Sequence, residues 1–259
     1  MRKDYHMHPS VLRVPGGFDE FAGQALRRGI GEVCITDHMP LASHKGDRIL
    51  PGHVEEYRRK VLTIKEKWAG KLTVKLGIEV DYFPALTTEM AEVFDAGEFD
   101  WIHGSTHLHV VRRDLFGTEC TFNEYANLSF ENTLEAVQTG LFQSLSHIDI
   151  HRWAFSRQDR FPLVDDGYDV QRHMPIISQI LDAVKARGMR LEINTHFAAN
   201  TGDFENVYPE IPIVELALEK GVLFSFGSDA HSADHVGILL DELHAHPVYA
   251  KALETWEDD

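Results

Sequence analysis

The chain alternates short runs of apolar residues with longer stretches in which apolar residues recur every three or four positions. The run from Val222 to Phe226 predicts a buried strand. Helical spacing is clear near the N-terminus, where one face would carry Phe18, Phe21, Ala22, Ala25 and Leu26. Gly29 follows at the position where helices commonly end. The chain is therefore expected to fold as alternating strands and helices.

Seven strands and at least six further helices are predicted from this pattern. The strands are expected at 4–8, 32–37, 72–80, 100–105, 141–146, 190–194 and 222–226. The helices are expected near 53–68, 86–96, 124–139, 177–187, 211–220 and 234–245. Two long segments, 107–122 and 148–170, are predicted as loops of the kind that shape a binding site, and a polar loop passes through His44. No linker-like tract interrupts the series, which predicts one domain covering 1–259.

Potential metal ligands follow nearly every predicted strand. The stretch Ser225–His231 carries Asp229 and His231 two positions apart, which would face the same way in extended backbone. Repeated strand–helix units imply a parallel sheet, either open or closed into a barrel. In a barrel the carboxyl ends of all strands meet at one mouth, whereas an open sheet spreads them along an edge. The ligand positions therefore favour an α/β fold that is a distorted, TIM-like (βα)7 barrel with its metal site at the strand ends.

The ligand types narrow the choice of cation and cofactor. Carboxylates and imidazoles suit Zn, Mn or Fe better than metals that prefer thiolates. Only two cysteines occur, Cys34 and Cys120, which excludes a disulfide framework or a zinc-finger pattern. The pair Gly16-Gly17 has neither the Lys-Ser/Thr of a P-loop nor the spacing of a dinucleotide fingerprint. A cluster of divalent cations held by His, Asp and Glu is the predicted cofactor.

Charge and the N-terminal sequence bound the partners. The net charge is -16 with His neutral, which argues against binding to nucleic acid or to an anionic membrane. Bound cations would reverse the sign inside the site, so a phosphorylated substrate remains compatible. The N-terminus lacks the apolar stretch of a secretory signal, and no run reaches transmembrane length. A soluble cytoplasmic protein is expected.

A series of short motifs, in this order, resembles that of the PHP (polymerase and histidinol phosphatase) family. The motifs are His6-x-His8, Thr36-Asp37-His38, Gly77-Ile78-Glu79-Val80-Asp81, Gly104-Ser105-x-His107, Ser146-His147-Ile148-Asp149, Glu192-Ile193-Asn194 and Gly227-Ser228-Asp229-Ala230-His231. The runs at 79–82 and 192–195 are most similar to the histidinol-phosphatase branch. The resemblance covers almost the whole chain and implies a phosphoesterase with two or three divalent metals.

The resemblance also implies how the ligands are shared among the metals. The first metal would be held by His6, His8, Glu79 and Asp229, and Glu79 would bridge to a second metal on His107 and His147. A third would use His38 and His231. Two cations about 3.5–4 Å apart can activate one water and clamp phosphate oxygens. Glu79, Asp229 and His231 are accordingly the predicted catalytic residues.

Two departures from the family pattern affect the third metal and the phosphate contact. Arg13 and Val14 stand where members usually place another histidine, which predicts a weak third site completed by water, phosphate or a side chain such as Asp19. The arginine that usually follows the Glu-Ile-Asn-Thr segment is missing. The predicted substrate-binding residues are instead Arg160, Arg157, Arg152 and His196.

Other polar residues have two interpretations each. Asp37 could orient His38 or cap a turn. His109, His151, His44 and His53 are interpreted as loop residues rather than ligands.

Three functions are compatible with the sequence. The favoured one is hydrolysis of a small phosphate monoester, with histidinol phosphate the leading candidate. A phosphodiesterase or exonuclease acting on nucleotides would use the same metals but should carry a basic groove. A non-catalytic metal-binding module should have closed coordination shells, whereas too few protein ligands per metal here leave positions for water and substrate.

Overall fold

The computed structural model describes residues 1–14, 16–39, 51–111, 115 and 119–257. Its strands are β1 Arg2–Asp4, β2 Ile30–Ile35, β3 His38–Met39, β4 Thr73–Asp81, β5 Trp101–Ser105, β6 Ser144–Leu145, β7 Arg190–Asn194 and β8 Leu223–Gly227. Its helices are α1 Phe18–Arg27, α2 Val54–Trp68, α3 Thr87–Gly97, α4 Leu108–Val111, α5 Phe122–Thr139, α6 His151–Phe155, α7 Met174–Ala186, α8 His196–Thr201, α9 Ile211–Lys220, α10 Leu240–Ala245 and α11 Pro247–Glu257. None of these helices is long and apolar enough to cross a membrane.

All the strands pair in parallel, in the order β1-β2-β4-β5-β6-β7-β8, and the two-residue β3 pairs with the end of β4. The ends of the order also meet, because the Tyr5 N–H donates to the Phe226 carbonyl at 3.0 Å and the His8 N–H donates to the Ala230 carbonyl at 2.8 Å. Seven main parallel strands thus form a nearly closed barrel, and the predicted TIM-like fold is confirmed.

The core follows the apolar periodicity. Strand β8 is buried on both faces after its first residue. Phe224 and Phe226 lie on one face and Ser225 on the other, and all three are fully buried. Helix α5 begins two residues before its predicted start because Thr121 and Glu124 form a capping box there. It ends at Gly140 in the left-handed conformation (φ 71°), as predicted.

Several predicted element boundaries are wrong. The first strand is β1 rather than 4–8, since after Asp4 only Met7 forms an isolated bridge, to Ala230. The fifth shrinks from 141–146 to the two residues of β6. The last predicted helix, 234–245, is α10 preceded by a 3-10 turn. The long loops at 107–122 and 148–170 contain the short helices α4 and α6, and His44, 112–114 and 116–118 lie outside the described residues.

Helix α11 was not predicted, although its sequence carries a clear signal. Tyr249, Ala252, Leu253 and Trp256 recur at helical spacing and all are buried. Pro247 lies at the start of the helix, where its missing N–H costs nothing. Trp256 packs edge-on against Tyr5, with ring centroids 4.7 Å apart. The helix packs against β8, where the Phe224 N–H donates to Thr255 Oγ1 at 3.0 Å.

Candidate metal centre

Eight predicted ligands come together at the carboxyl ends of the strands. They follow β1 (His6, His8), lie in β3 and β4 (His38, Glu79), and follow β5, β6 and β8 (His107, His147, Asp229, His231). Such convergence is what a parallel barrel imposes on residues at its strand ends. The structure thus brings together every residue that the sequence assigned to a metal.

In the first predicted set, both imidazoles lie close to both carboxylates. His6 Nε2 lies 3.4 Å from Glu79 Oε2 and 3.7 Å from Asp229 Oδ1. His8 Nε2 lies 3.5 Å and 3.0 Å from the same two oxygens. Four ligands about 2.0–2.2 Å from a tetrahedral ion would be roughly 3.3–3.6 Å apart. His6 Nε2 is buried and hydrogen-bonds to no described residue. These four residues fit a divalent cation.

Glu79 lies at the centre of the cluster. Its Oε1 is 3.1 Å from His147 Nε2, and its Oε2 is 2.6 Å from His38 Nδ1. Glu79, His107 and His147 offer ligand atoms that lie within 4.8 Å of one another. The Nδ1 of His107 is 2.5 Å from Asp81 Oδ1, which leaves its Nε2 free to bind a cation. One carboxylate therefore borders both of the first two predicted sites.

The third predicted set is more open. His38 and His231 approach His8 closely enough to form a three-imidazole group, but their side chains are 20% and 49% exposed. His196 and His231 both place Nδ1 against the Asp229 carbonyl oxygen, at 2.9 Å and 3.0 Å. That shared acceptor fixes Nδ1 as the protonated nitrogen of each ring and leaves Nε2 with the lone pair. His196, Asp229 and His231 form a further group that could hold a cation.

The path from β8 to this group is a turn. Asp229 has φ 50°, in the left-handed region, so the expectation that extended backbone aligns Asp229 with His231 is wrong. The two side chains still converge, with His231 Nδ1 3.5 Å from Asp229 Oδ1.

Burial and neighbouring charges raise some pKa values in the cluster and lower others. Burial raises the pKa of Glu79, but His38 and His6 outweigh it and hold that pKa well below the usual range. Burial lowers the pKa of His6, but Glu192, Asp229 and Glu79 together hold it well above 6.5. The pKa of His8 is well below 6.5 because of burial and the neighbouring His38 and His231. The carboxylates are therefore charged and able to accept a cation, and His8 is neutral.

Asp37, which could have oriented His38, and Asp19, which could have completed the third site, both have other partners. The Asp37 carboxylate accepts the N–H groups of Ser10 and Val11 at 2.9 Å and 2.8 Å, which supports the turn-capping interpretation. Asp19 on α1 bonds to Lys67 and to the Trp68 indole, so its carboxylate is already engaged on the outer surface.

A cavity of about 210 Å³ opens directly beside the cluster. Its described lining combines the predicted ligands His38, His107, Asp229 and His231 with His109, Ile150, Trp153, His196 and Tyr208. The cavity thus has predicted metal ligands on one side and a largely aromatic wall on the other. His109 lies on that wall and not merely in a solvated loop, whereas His151 is buried among Phe130, Phe155 and Tyr168. His53 lies in a 3-10 turn before α2.

The predicted arginines do not line the described part of this cavity. The Arg152 guanidinium donates to the Val207 carbonyl at 2.7 Å and pairs with Asp149 at 3.1 Å. Because internal partners occupy this side chain, its interpretation as a phosphate ligand is not supported. Arg157 lies 5.7 Å from the Trp153 ring, and Arg160 is exposed at the same distance from Phe161. These two arginines lie around the aromatic wall.

Sequence reasoning gave no role in the site to Asp81, Glu192 and Asn194. All three are buried polar residues; Glu192 and Asn194 lie inside a predicted strand, and Asp81 directly follows one. That signal was available, because a carboxylate in a buried strand requires a partner. Glu192 and Asn194 are two positions apart, so one strand face carries both.

Comparison with known proteins places these features in a family. Residues 4–196, well over half of the chain, match the PHP domain profile. A protein named probable histidinol-phosphatase from Deinococcus radiodurans is 28% identical over 250 residues, covering 90% of this chain and 88% of the relative. The histidinol-phosphatase of Bacillus subtilis is 25% identical over 91% of this chain and 96% of its own.

The fold also resembles solved structures. The histidinol phosphate phosphatase of Lactococcus lactis, complexed with Zn, L-histidinol and phosphate, superposes with a TM-score of 0.75 at 22% identity, covering 97% of this chain and 93% of that one. The motif series, the ligand cluster at the strand ends and the matched profile lead to one conclusion: the chain belongs to the PHP domain family.

Proposed function

We propose that the protein is a metal-dependent phosphatase that hydrolyses a small phosphate monoester, with L-histidinol phosphate the leading candidate. The observation that carries the proposal is the set of His6, His8, Glu79 and Asp229, whose imidazole nitrogens lie 3.0–3.7 Å from the carboxylate oxygens beside a small cavity. The curated relatives named histidinol-phosphatase support the same substrate.

Two tightly held cations and a third weaker one are proposed, with Zn, Mn or Fe as candidates. His6, His8, Glu79 and Asp229 would hold the first, and Glu79 with His107 and His147 the second. His38 and His231 would hold the third. When bound, such cations lower the pKa of water and neutralise developing charge on phosphate oxygens. Glu79 supplies the negative charge that allows two cations to lie close together.

Side chains around the cavity would orient the phosphate ester over these metal ligands. His196 keeps its Nδ1 on the Asp229 carbonyl, so its Nε2 is the nitrogen able to contact a phosphate oxygen. Arg157 and Arg160 are the proposed guanidinium contacts, because they lie around the aromatic wall and carry a charge suited to phosphate. They would replace the arginine that the family usually places after the Glu-Ile-Asn-Thr segment.

The cavity favours a small metabolite over a nucleic acid. Its volume of about 210 Å³ lies below the range of roughly 300–1,000 Å³ typical of drug-sized ligands. Trp153 and Tyr208 supply flat apolar surfaces on which an imidazole ring could pack. A net charge of -16 would repel a polyanion, which disfavours the exonuclease alternative.

The experiment is a phosphatase screen of the Zn- or Mn-loaded protein. Phosphate release would be measured with L-histidinol phosphate, other phosphorylated metabolites and a dinucleotide, with Glu79→Gln as the matched negative control. Preferred hydrolysis of L-histidinol phosphate is expected. Preferred cleavage of the dinucleotide would overturn the proposal.

A further inference from the structure

Strand β7 stands between two strands that lead into ligands, yet it contributes none of the eight ligands assigned above. Its two inward polar residues, Glu192 and Asn194, are fully buried. Burying a carboxylate without partners costs several kcal/mol, so the fold must provide Glu192 with comparably favourable interactions. The contacts of Glu192 and Asn194 show what they do.

Glu192 contacts ligands of two different metal sites. Its Oε1 lies 2.6 Å from His6 Nδ1, and its Oε2 accepts the backbone N–H of His147 at 3.0 Å. The first contact fixes the proton on Nδ1 of His6, which directs the lone pair of Nε2 into the first site. The second fixes the backbone of His147, a ligand of the second site.

Asn194 extends this network to a third ligand. Its Nδ2 donates to Glu192 Oε2 at 3.0 Å and to Asp229 Oδ2 at 3.3 Å. Its Oδ1 accepts the His196 N–H at 2.9 Å. Because one amide group holds Oδ2 of Asp229, the other carboxylate oxygen, Oδ1, is left facing His6 and His8.

The neighbouring strand leaves room for this arrangement. A Cβ added to Gly227 on β8 would lie 2.1 Å from Glu192 Oε1 and 2.4 Å from His6 Cβ. Glycine is therefore required at 227 for Glu192 to reach His6.

We infer that Glu192 and Asn194 are positioning residues that set the ring orientation of His6, the placement of His147 and the rotamer of Asp229, and thereby fix the affinity of the first two metal sites. The inference rests on the proposed metal-dependent function, because it assigns a role toward the same cations. Partners of this kind typically change metal affinity by about 10–100-fold.

The test measures binding of Co²⁺ to the metal-free full chain by titration and by its visible absorption spectrum, so turnover is not the readout. Glu192→Gln keeps the side-chain volume but replaces one carboxylate oxygen by an NH2 donor, so the side chain cannot accept both the His6 Nδ1–H and the His147 N–H. We expect it to bind Co²⁺ about 10–100-fold more weakly, with a shifted absorption band. Glu215→Gln makes the same chemical change at an exposed position on α9, outside the barrel, and should bind as the wild type does.

Asn194→Ala is the second variant, since it leaves Glu192 and His6 in contact. It should also weaken Co²⁺ binding and shift the band, and it decides the matter if Glu192→Gln does not fold. A folded Glu192→Gln or Asn194→Ala with wild-type affinity and spectrum would overturn the inference, even if its melting temperature is lower. Failure of the wild type itself to bind Co²⁺ would instead overturn the proposed function.

Discussion

The buried and the exposed parts of the ligand cluster are built differently. The buried part, the floor, consists of His6, His8, Glu79, His107, His147 and Asp229, and the more exposed part, the rim, consists of His38 and His231. On the floor, His6 and Glu79 are at most 1% exposed, and carboxylates face every imidazole. On the rim, His231 is 49% exposed, and its nearest imidazole neighbours include His8, His38 and His196. A cation in the proposed first site would meet the carboxylates of Glu79 and Asp229, and one in the proposed second site would meet that of Glu79. A cation between His38 and His231 would meet imidazoles. Charge and burial therefore predict that cations bind tightly on the floor and exchange readily on the rim.

The largest expected effect comes from removing charge on the floor. Glu79→Gln and Asp229→Asn keep the shape of each side chain but remove an anionic ligand, so kcat/KM should fall by at least about 1,000-fold, or roughly 4 kcal/mol. Metal content would be measured alongside, and the melting temperature would report folding. Full activity with metals still bound in either variant would contradict the prediction that charge on the floor is required.

Arg152 is expected to contribute to stability rather than to substrate binding. Arg152→Ala leaves the buried Asp149 carboxylate without its guanidinium, since the Arg152 side chain is only 10% exposed. Breaking such a buried pair costs about 3–5 kcal/mol, which should appear in urea unfolding of the metal-free protein. A stable variant with a raised KM would restore the original interpretation of Arg152 as a substrate ligand.

The turn capped by Asp37 should make stability depend on pH. Burial raises the pKa of Asp37 from 3.8 to about 6. A raised pKa in the folded state favours the protonated acid, so this contribution is complete below pH 3.8 and is lost as pH rises through 6. Relative to Asp37→Asn, the wild type should lose roughly 2–3 kcal/mol between pH 4 and pH 7. A difference in unfolding free energy that is constant with pH would contradict this.

The smallest expected effect lies at the outer edge of the rim. Arg160→Ala should raise the KM for a phosphoester by an amount equivalent to about 1.5–3 kcal/mol, if its guanidinium contacts phosphate directly. Arg187→Ala provides a control, because that side chain bonds to the Gln138 carbonyl instead. Equal kinetics in both variants would leave phosphate binding to the metals, to His196 or to Arg157.

Sequence patterns predicted much of the fold because the positions of strands and helices depend on the local spacing of apolar residues. The apolar spacing placed β7 and α9 at their observed bounds, and the ligand motifs at the strand ends implied a single mouth. The predicted PHP family and the barrel are both confirmed. The extent of the domain and the roles of the site residues stay predictions.

What the sequence could not supply depends on tertiary contacts. The spacing of Asp229 and His231 does not reveal the left-handed turn between them. Nor does it reveal that Glu192 reaches past the neighbouring strand β8 to His6, 186 positions away in the chain. Arginine-rich composition at 148–170 suggested phosphate contacts, but the partner of each guanidinium is set by packing.

The most direct test of the difference between floor and rim is a metal titration with elemental analysis. The metal-free protein would be loaded with Zn²⁺ or Mn²⁺ in phosphate-free buffer and then dialysed against a mild chelator. We expect two equivalents to be retained and a third to be lost, and His231→Ala should abolish only the weak one. Three equivalents retained with equal tightness would contradict the account.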